Sequence, residues 1–311
     1  METCFSSTIR TLSAVEYIRP LRGGSQPHLL RADDDHFYVV KFQNNPQHRR
    51  ILANELFATR LAHAIGLPVP ESVILDISAE LIQSTPGLSQ YRGQPTEPCP
   101  AGLHFGSRLP TTDPRCPIYD YLPDPGLELI ANLRDFWGML AFDQWTCNCD
   151  RRQVIFCREH PCRPLRVYMI DQGFCFNANY WNFPDSPLRG IYDRAIVYAG
   201  MSGIGSFSPW LERIEGISIY QLSEAASRIP PEWYEHNTAE LTLLVSQLDR
   251  RRLRLRSQLS ALMAKLGLIM QIAGAAQGKA TGEHKMLMPA AIPYPANFPD
   301  PTHRPLSGIR L

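Results

Sequence analysis

Apolar and polar positions alternate early in the chain and recur at helical spacing later, so the period itself divides the sequence into a strand-rich part and a helix-rich part. Val15 to Leu21, His28 to Arg31 and the run His36-Phe37-Tyr38-Val39-Val40-Lys41-Phe42 predict an antiparallel meander. Its turns are Arg22-Gly23-Gly24-Ser25-Gln26 and Asp33-Asp34-Asp35. Asn44-Asn45-Pro46 stops the meander, and from Gln47 to Ile65 the residues Ile51, Leu52, Leu56, Leu61 and Ile65 predict a helix closed by Gly66. A strand over Ser72 to Asp76 follows Pro68-Val69-Pro70, with a further short apolar segment near Leu81.

From Ser84 to Pro125 the chain is crowded with Pro, Gly, Ser and Thr, and its brief apolar pieces, such as Leu103-His104-Phe105-Gly106, read as loop. Gly126 to Trp145 then carries Leu127, Ile130, Leu133, Phe136, Trp137, Leu140 and Ala141 at helical spacing, which predicts a core helix. A polar turn at Asn148 to Arg152 leads into two β-like runs, Gln153 to Cys157 and Leu165 to Ile170, around a hairpin at Arg158 to Pro164. Helices are expected at Tyr220 to Arg228, Pro231 to Glu235 and Asn237 to Leu266. From Gly278 onward the Pro-rich chain is too weakly apolar to bury much. No internal repeat is evident.

The 311 residues, 44% hydrophobic and 20% charged, suffice for a full core and favour two lobes over one. The expected divisions are 1–110, 111–270 and a disordered tail over 271–311. Lys and Arg number 31 against 30 Asp and Glu, and a net charge of +1 gives no global field toward nucleic acid or an anionic membrane. The basic run Asp249-Arg250-Arg251-Arg252, with Arg254 and Arg256, therefore reads as a solvated helix face. Arg10, Glu16 and Arg19 interrupt the N-terminal apolar residues, and Lys265 and Gln271 interrupt the apolar stretch Leu259 to Ala276. The expectation is a cytoplasmic protein that does not enter a membrane.

Eight cysteines without a secretory leader are expected to be thiols. Cys147, Cys149, Cys157 and Cys162 crowd together and raise a zinc scaffold as a rival, but their spacing is not that of a zinc knuckle or ribbon.

Three segments could together carry phosphoryl transfer. The Gly23-Gly24 turn would let backbone N–H groups approach phosphates, and Lys41 on a following strand would add a point charge. Glu55, on the next helix, is placed to pair with that lysine. Asp150, on the short turn before a strand, suits a base that orients a nucleophile, and Asp171, where the return strand ends, suits a magnesium ligand.

In this order Arg22-Gly23-Gly24-Ser25-Gln26, Val39-Val40-Lys41-Phe42, Asn54-Glu55-Leu56, Trp145 to Gln153 and Met169-Ile170-Asp171-Gln172-Gly173-Phe174 resemble the HipA-like kinases over roughly residues 15 to 260. The resemblance implies an α+β, protein-kinase-like two-lobed fold, with an antiparallel N-terminal sheet plus one helix and a mainly helical C-terminal lobe. It implies ATP and Mg2+, and transfer of the γ-phosphate to a hydroxyl, most commonly of a protein Ser or Thr. Gly23, Gly24, Ser25, Lys41 and Glu55 would serve the nucleotide, Asp150 the hydroxyl and Asp171 the metal. A protein substrate and a regulatory protein are the partner classes it suggests, with no direct nucleic-acid binding. Such kinases usually carry Asn five positions after the catalytic Asp. Position 155 is Ile, so Gln153 is the amide left to supply a second metal oxygen. The same departure motivates a second reading, a nucleotide-binding pseudokinase that acts as a regulatory module.

Overall fold

The computed structural model describes residues 9–91, 96–113, 115–184 and 190–264. The predicted tail over 271–311 lies outside the described residues, as does the end of the last predicted helix beyond 264. The N-terminal part runs β1 (Thr11–Pro20), β2 (His28–Ala32), β3 (Phe37–Lys41), α1 (Ile51–Ala64), β4 (Ser72–Ile77) and α2 (Ala79–Ser84). The two-residue strands β5 (Ser89–Gln90) and β6 (Glu97–Pro98) then lead to β7 (Gly102–Arg108).

The meander forms as its pattern requires, but two features differ from expectation. The segment read as loop contains β7, which lies between β3 and β4 in the order β1-β2-β3-β7-β4. The sheet is also not wholly antiparallel, because β4 runs parallel to β1 and closes it into a barrel. The crowding of Pro, Gly, Ser and Thr made the segment read as loop, yet a Cβ at Gly106 would come within 2.6 Å of Leu75 and 3.0 Å of Val73, so the barrel interior needs a glycine there. Tyr38, Val40 and Phe42 alternate into the barrel, with Leu30, Val73 and Leu75. Period two therefore turns Lys41 to the opposite face, where its partner across the ladder is Phe105.

The second part comprises α3 (Asp124–Glu128), α4 (Asp135–Thr146), the hairpin β8 (Gln153–Cys157) and β9 (Arg166–Ile170), then α5 (Trp210–Gly216), α6 (Ile219–Ala226) and α7 (Thr238–Arg252), with the chain helical again at 255–264. The single helix expected from 126 to 145 is split. Ala131 donates to Leu165 O at 3.0 Å, and the Asn132 side chain both accepts from Val167 N at 2.9 Å and donates to Val167 O at 3.1 Å. These bonds to the edge of β9 draw the chain out of helix. Helix α5 was not expected from the pattern.

One large apolar cluster joins α1 to α4, α5, α6, α7 and one face of the hairpin, while the barrel interior forms a separate cluster. The basic run is partly structural: Arg251 donates to the Gln144 and Trp145 carbonyls at the C-terminal end of α4 and lies over the Phe183 ring, and Arg252 donates to Glu215 O. That end of α4 would otherwise hold unsatisfied carbonyls. No helix among the described residues is long and apolar enough to cross a membrane.

His104 on β7 is buried, and its tautomer is fixed. Nδ1 accepts from Gln43 N at 3.2 Å and Nε2 donates to Pro100 O at 2.8 Å. Burial pushes its pKa down to about 4. Below about pH 6.5 the unfolded chain binds a proton at this residue that the folded chain refuses until pH reaches about 4, so stability is full above that window and falls as pH drops through it. His104→Gln, which cannot titrate, should lose less stability than the parent between pH 7 and about pH 4.5, measured as the shift in urea midpoint. Equal losses would mean that His104 is protonated in the fold.

Candidate active site

Lys41 ends β3 with its side chain on the α1 side of the sheet, and a buried ammonium there needs anionic partners. It has two. Nζ donates to Glu55 of α1 and, at 2.8 Å, to Asp171, which follows β9. Lys41 is 7% exposed and Glu55 2%, whereas the Asp171 side chain retains 19% and is the member of the triad that reaches solvent. Lys41 is held protonated: burial opposes its charge, and the two carboxylates more than restore it. For Asp171, burial raises the carboxyl's affinity for a proton, but the adjacent ammonium outweighs burial and holds it below its ordinary range. For Glu55, burial wins and pushes the carboxyl upward against the pull of Lys41.

Backbone completes the Glu55 shell. Oε2 accepts from Gln172 N at 3.0 Å and Oε1 from Gly173 N at 2.9 Å. Gly173 is required by this approach, since a Cβ would come within 2.4 Å of Ile51 and 3.1 Å of Glu55 Oε1.

The chain after Asp171 is strained. Asp171, Phe176, Asn177, Ala178 and Trp181 all have φ between 48° and 60°, a region that costs a non-glycine residue about 1–3 kcal/mol. Asn54, fully buried beside Glu55, holds the segment down. Its Nδ2 donates to the carbonyls of Gly173 (2.8 Å), Cys175 (3.1 Å) and Ala178 (3.0 Å), and its Oδ1 accepts from Trp181 Nε1 at 2.8 Å. Arg50 adds a bond to Asn179 O at 3.1 Å and stacks on the Trp181 ring, while His48 Nε2 donates to Gly173 O at 3.0 Å.

Of the remaining expected residues, Asp150 and Gln153 come together. Gln153 Nε2 donates to Asp150 Oδ2 at 3.3 Å, and Asp150 N donates to the Asn148 side chain at 3.1 Å. Ile155 packs with Ile118, Cys157 and Tyr168 and brings no polar atom to the site. Gly23, Gly24 and Ser25 form the β1–β2 turn. Because His28, the first residue of β2, pairs with Val40, that turn stands at the Lys41 end of the sheet. Ser25 is buried, and its carbonyl accepts from Asn45 Nδ2 at 3.1 Å. The four crowded cysteines are thiols of differing burial, Cys157 among them with its pKa pushed up to about 12 by burial. Among the described residues no three His, Cys, Asp or Glu side chains group as a metal site.

Sequence reasoning gave no role to Asn54 or to the buried pair Asp143–Arg152. The available signal was a pair of polar residues within each apolar helix, Asn54-Glu55 in Ile51 to Leu56 and Asp143-Gln144 in Phe136 to Trp145.

A strand lysine paired to a helix carboxylate, with an aspartate at the end of a return strand and another on the turn before it, is the arrangement of a kinase-like phosphotransferase fold. The chain belongs to the HipA-like kinase family, whose sequence profile matches residues 15–180, just over half of its length. Among solved structures it is similar to the Golgi casein kinase (13% identity, 85% of this chain and 75% of that chain, TM-score 0.46). The same kinase with Mn/ADP bound matches at 12% identity, 83% and 74% coverage and a TM-score of 0.44. The Helicobacter pylori proinflammatory kinase CtkA matches at 16% identity, over 80% of this chain and 99% of that chain, with a TM-score of 0.49. No curated protein matches the chain.

Asn54→Ala should release the strained segment, leaving the Cys175 and Ala178 carbonyls and the Trp181 indole N–H without this partner and the Gly173 carbonyl with His48 alone, at a cost of about 3 kcal/mol. Hydrogen exchange of residues 173–181 should accelerate ahead of the rest of the chain. Uniform exchange, with a stability change under about 0.5 kcal/mol, would show that Asn54 does not hold the segment.

Proposed function

We propose that this protein is an ATP- and magnesium-dependent kinase that transfers the γ-phosphate to a hydroxyl, in the first instance of a protein Ser or Thr. The observation that carries the reading is the Lys41 ammonium held between Glu55 and Asp171. Two carboxylates against one ammonium leave the cluster short of positive charge, a setting that favours a divalent cation beside the more exposed Asp171. Asp171 would hold magnesium, with Gln153 as a second oxygen donor. The ion, when bound, supplies neutralisation of phosphate charge.

The chain's own residues do the rest. Lys41 exchanges part of its contact with Asp171 for phosphate oxygens, Glu55 keeps it in place, and the Gly23-Gly24-Ser25 turn covers the phosphates with backbone N–H groups. Asp150, partly exposed and anchored through its own N–H, accepts hydrogen from the acceptor hydroxyl and orients it. Lobes over 1–110 and 111–270, a cytoplasmic location and a regulatory protein partner belong to the same reading. The second reading, a nucleotide-binding pseudokinase, is favoured by one feature, the apolar packing of Ile155 where a second metal ligand is expected.

Incubation with labelled ATP and magnesium, followed by mass spectrometry of the chain and of added protein acceptors, separates the two. Asp171→Asn should weaken magnesium-dependent ATP binding and turnover together. Asp150→Asn should leave ATP affinity within about threefold of the parent and lower turnover by roughly 10² or more. Small, equal effects from both would sink the kinase reading, and nucleotide binding with no turnover in the parent would favour the pseudokinase. Lys41→Met should weaken ATP binding in a folded protein, and calorimetry showing unchanged affinity would return Lys41 to the status of an ordinary strand residue.

A further inference from the structure

The turn that carries Asp150 and the strand end that carries Asp171 are fixed by the same buried ion pair. Asp143 of α4 and Arg152 are almost wholly removed from solvent. Arg152 Nε donates to Asp143 Oδ2 at 2.8 Å, and its Nη2 donates to Asp143 Oδ1. Asp143 Oδ1 also accepts from Asn148 Nδ2 at 3.0 Å, and Asn148 Oδ1 in turn accepts the Asp150 N–H. One carboxylate thus grips the residues two before and two after Asp150.

The other end of the guanidinium reaches the second aspartate. Nη1 donates to Ile170 O at 2.9 Å and to Gln172 Oε1 at 2.7 Å, the residues on either side of Asp171. Four of the five guanidinium N–H bonds are used in this way. Gln172 is buried, and its backbone N–H is one of the two that hold Glu55. A continuous path of hydrogen bonds therefore runs from Asp150 through Asn148, Asp143, Arg152, Gln172 and Glu55 to Lys41.

The path also accounts for Gln172, the middle residue of Asp171-Gln172-Gly173, where protein kinases commonly carry Phe in an Asp-Phe-Gly motif. Each buried guanidinium N–H that lacks an acceptor costs free energy, and an apolar side chain at 172 would remove the acceptor of one of the four that are now bonded.

We propose that Asp143, Arg152 and Gln172 are positioning residues that hold Asp150 and Asp171 in register, so that the attacking hydroxyl and the metal-held phosphate are presented to each other. This rests on the kinase reading for its chemistry, but the mechanical link between the two turns can be measured without it. The pair Asp143–Arg152 is a poor place to cut, because removing one partner leaves a buried charge and risks unfolding. Gln172→Met is better, since it removes only the acceptor and keeps the shape, and Gln172→Glu restores an acceptor. Arg152→Lys serves if Gln172→Met fails to fold, because a lysine keeps the charge opposite Asp143 but not the reach to Ile170 and Gln172.

Two measurements are made on the full chain. In magnesium titrations with ATP, Gln172→Met should need about 10-fold more metal and lose about 10- to 100-fold in kcat, with KM for the acceptor within about twofold of the parent. Gln172→Glu should recover most of that loss. In hydrogen exchange without nucleotide, the amides of Asp150 and Arg151 should exchange faster in Gln172→Met but not in Gln172→Glu. A Gln172→Met protein with parental magnesium dependence, turnover and exchange at Asp150 would overturn the proposal, as would a loss that Gln172→Glu does not recover. Absence of magnesium-dependent ATP binding in the parent would instead count against the kinase reading. The exchange comparison would then decide the link by itself, faster exchange at Asp150 in Gln172→Met alone supporting it and equal exchange in all three proteins overturning it.

Discussion

A buried ammonium is costly unless anions meet it, and the placement of Lys41 turns that cost into a constraint on three distant parts of the chain. β3 must end with Lys41 facing α1, α1 must begin early enough for Glu55 to lie one turn in, and β9 must stop so that Asp171 turns back toward the sheet. Asp171 meets the last requirement with a left-handed backbone, φ 58°. A strand that ran on in extended conformation would carry its carboxylate away from Lys41, so the strain at Asp171 and the ion pair depend on each other.

The same helix that supplies Glu55 belongs, by packing, to the C-terminal part. Ile51, Leu52, Leu56 and Phe57 lie in the large cluster with Phe136, Leu140 and Phe176, not in the barrel interior. Glu55 is therefore fixed relative to the turns that carry Asp150 and Asp171 by a dense apolar core, and Lys41 is brought to it by the barrel. Asn54 and Glu55, adjacent on one helix, divide the labour: one carries the strained backbone after Gly173 and the other takes the amides of Gln172 and Gly173 together with Lys41. Loss of either would loosen what the other holds.

Lys41, Glu55 and Asp171 were legible in the sequence because each sits at a predictable place on a local element: the end of a strand, the first turns of a helix, the end of a hairpin. The family membership came from the same order. β7 was not legible, since its neighbours are Pro and Gly and its own Gly106 is fixed by a contact with Val73 and Leu75, residues distant in sequence. The break between α3 and α4 was hidden for a similar reason, as Asn132 leaves the helix to bond with Val167. Left-handed conformations at Phe176, Ala178 and Trp181 have no sequence sign, because none of these residue types favours that region and contacts from residues distant in sequence, among them Asn54 and Arg50, hold the segment there.

The geometry of the β8–β9 hairpin bears on whether an isoleucine at 155 removes the chemistry. Residues 153, 155 and 157 share a face of β8, and at 155 and 157 that face is covered by Ile118 and Tyr168. An amide at 155 would stand among apolar side chains with few partners, so isoleucine satisfies the packing that this chain has built there. At 153 the same face is open, and the Gln153 side chain is exposed and within hydrogen-bond range of Asp150. A polar group at this end of the hairpin is thus two residues nearer the Asp150 turn than the usual position. Magnesium fills much of its coordination with water and phosphate oxygens and needs few protein ligands. The proposed chemistry therefore does not require an oxygen at 155, provided that Asp171 stays where Lys41 and the Arg152 network hold it.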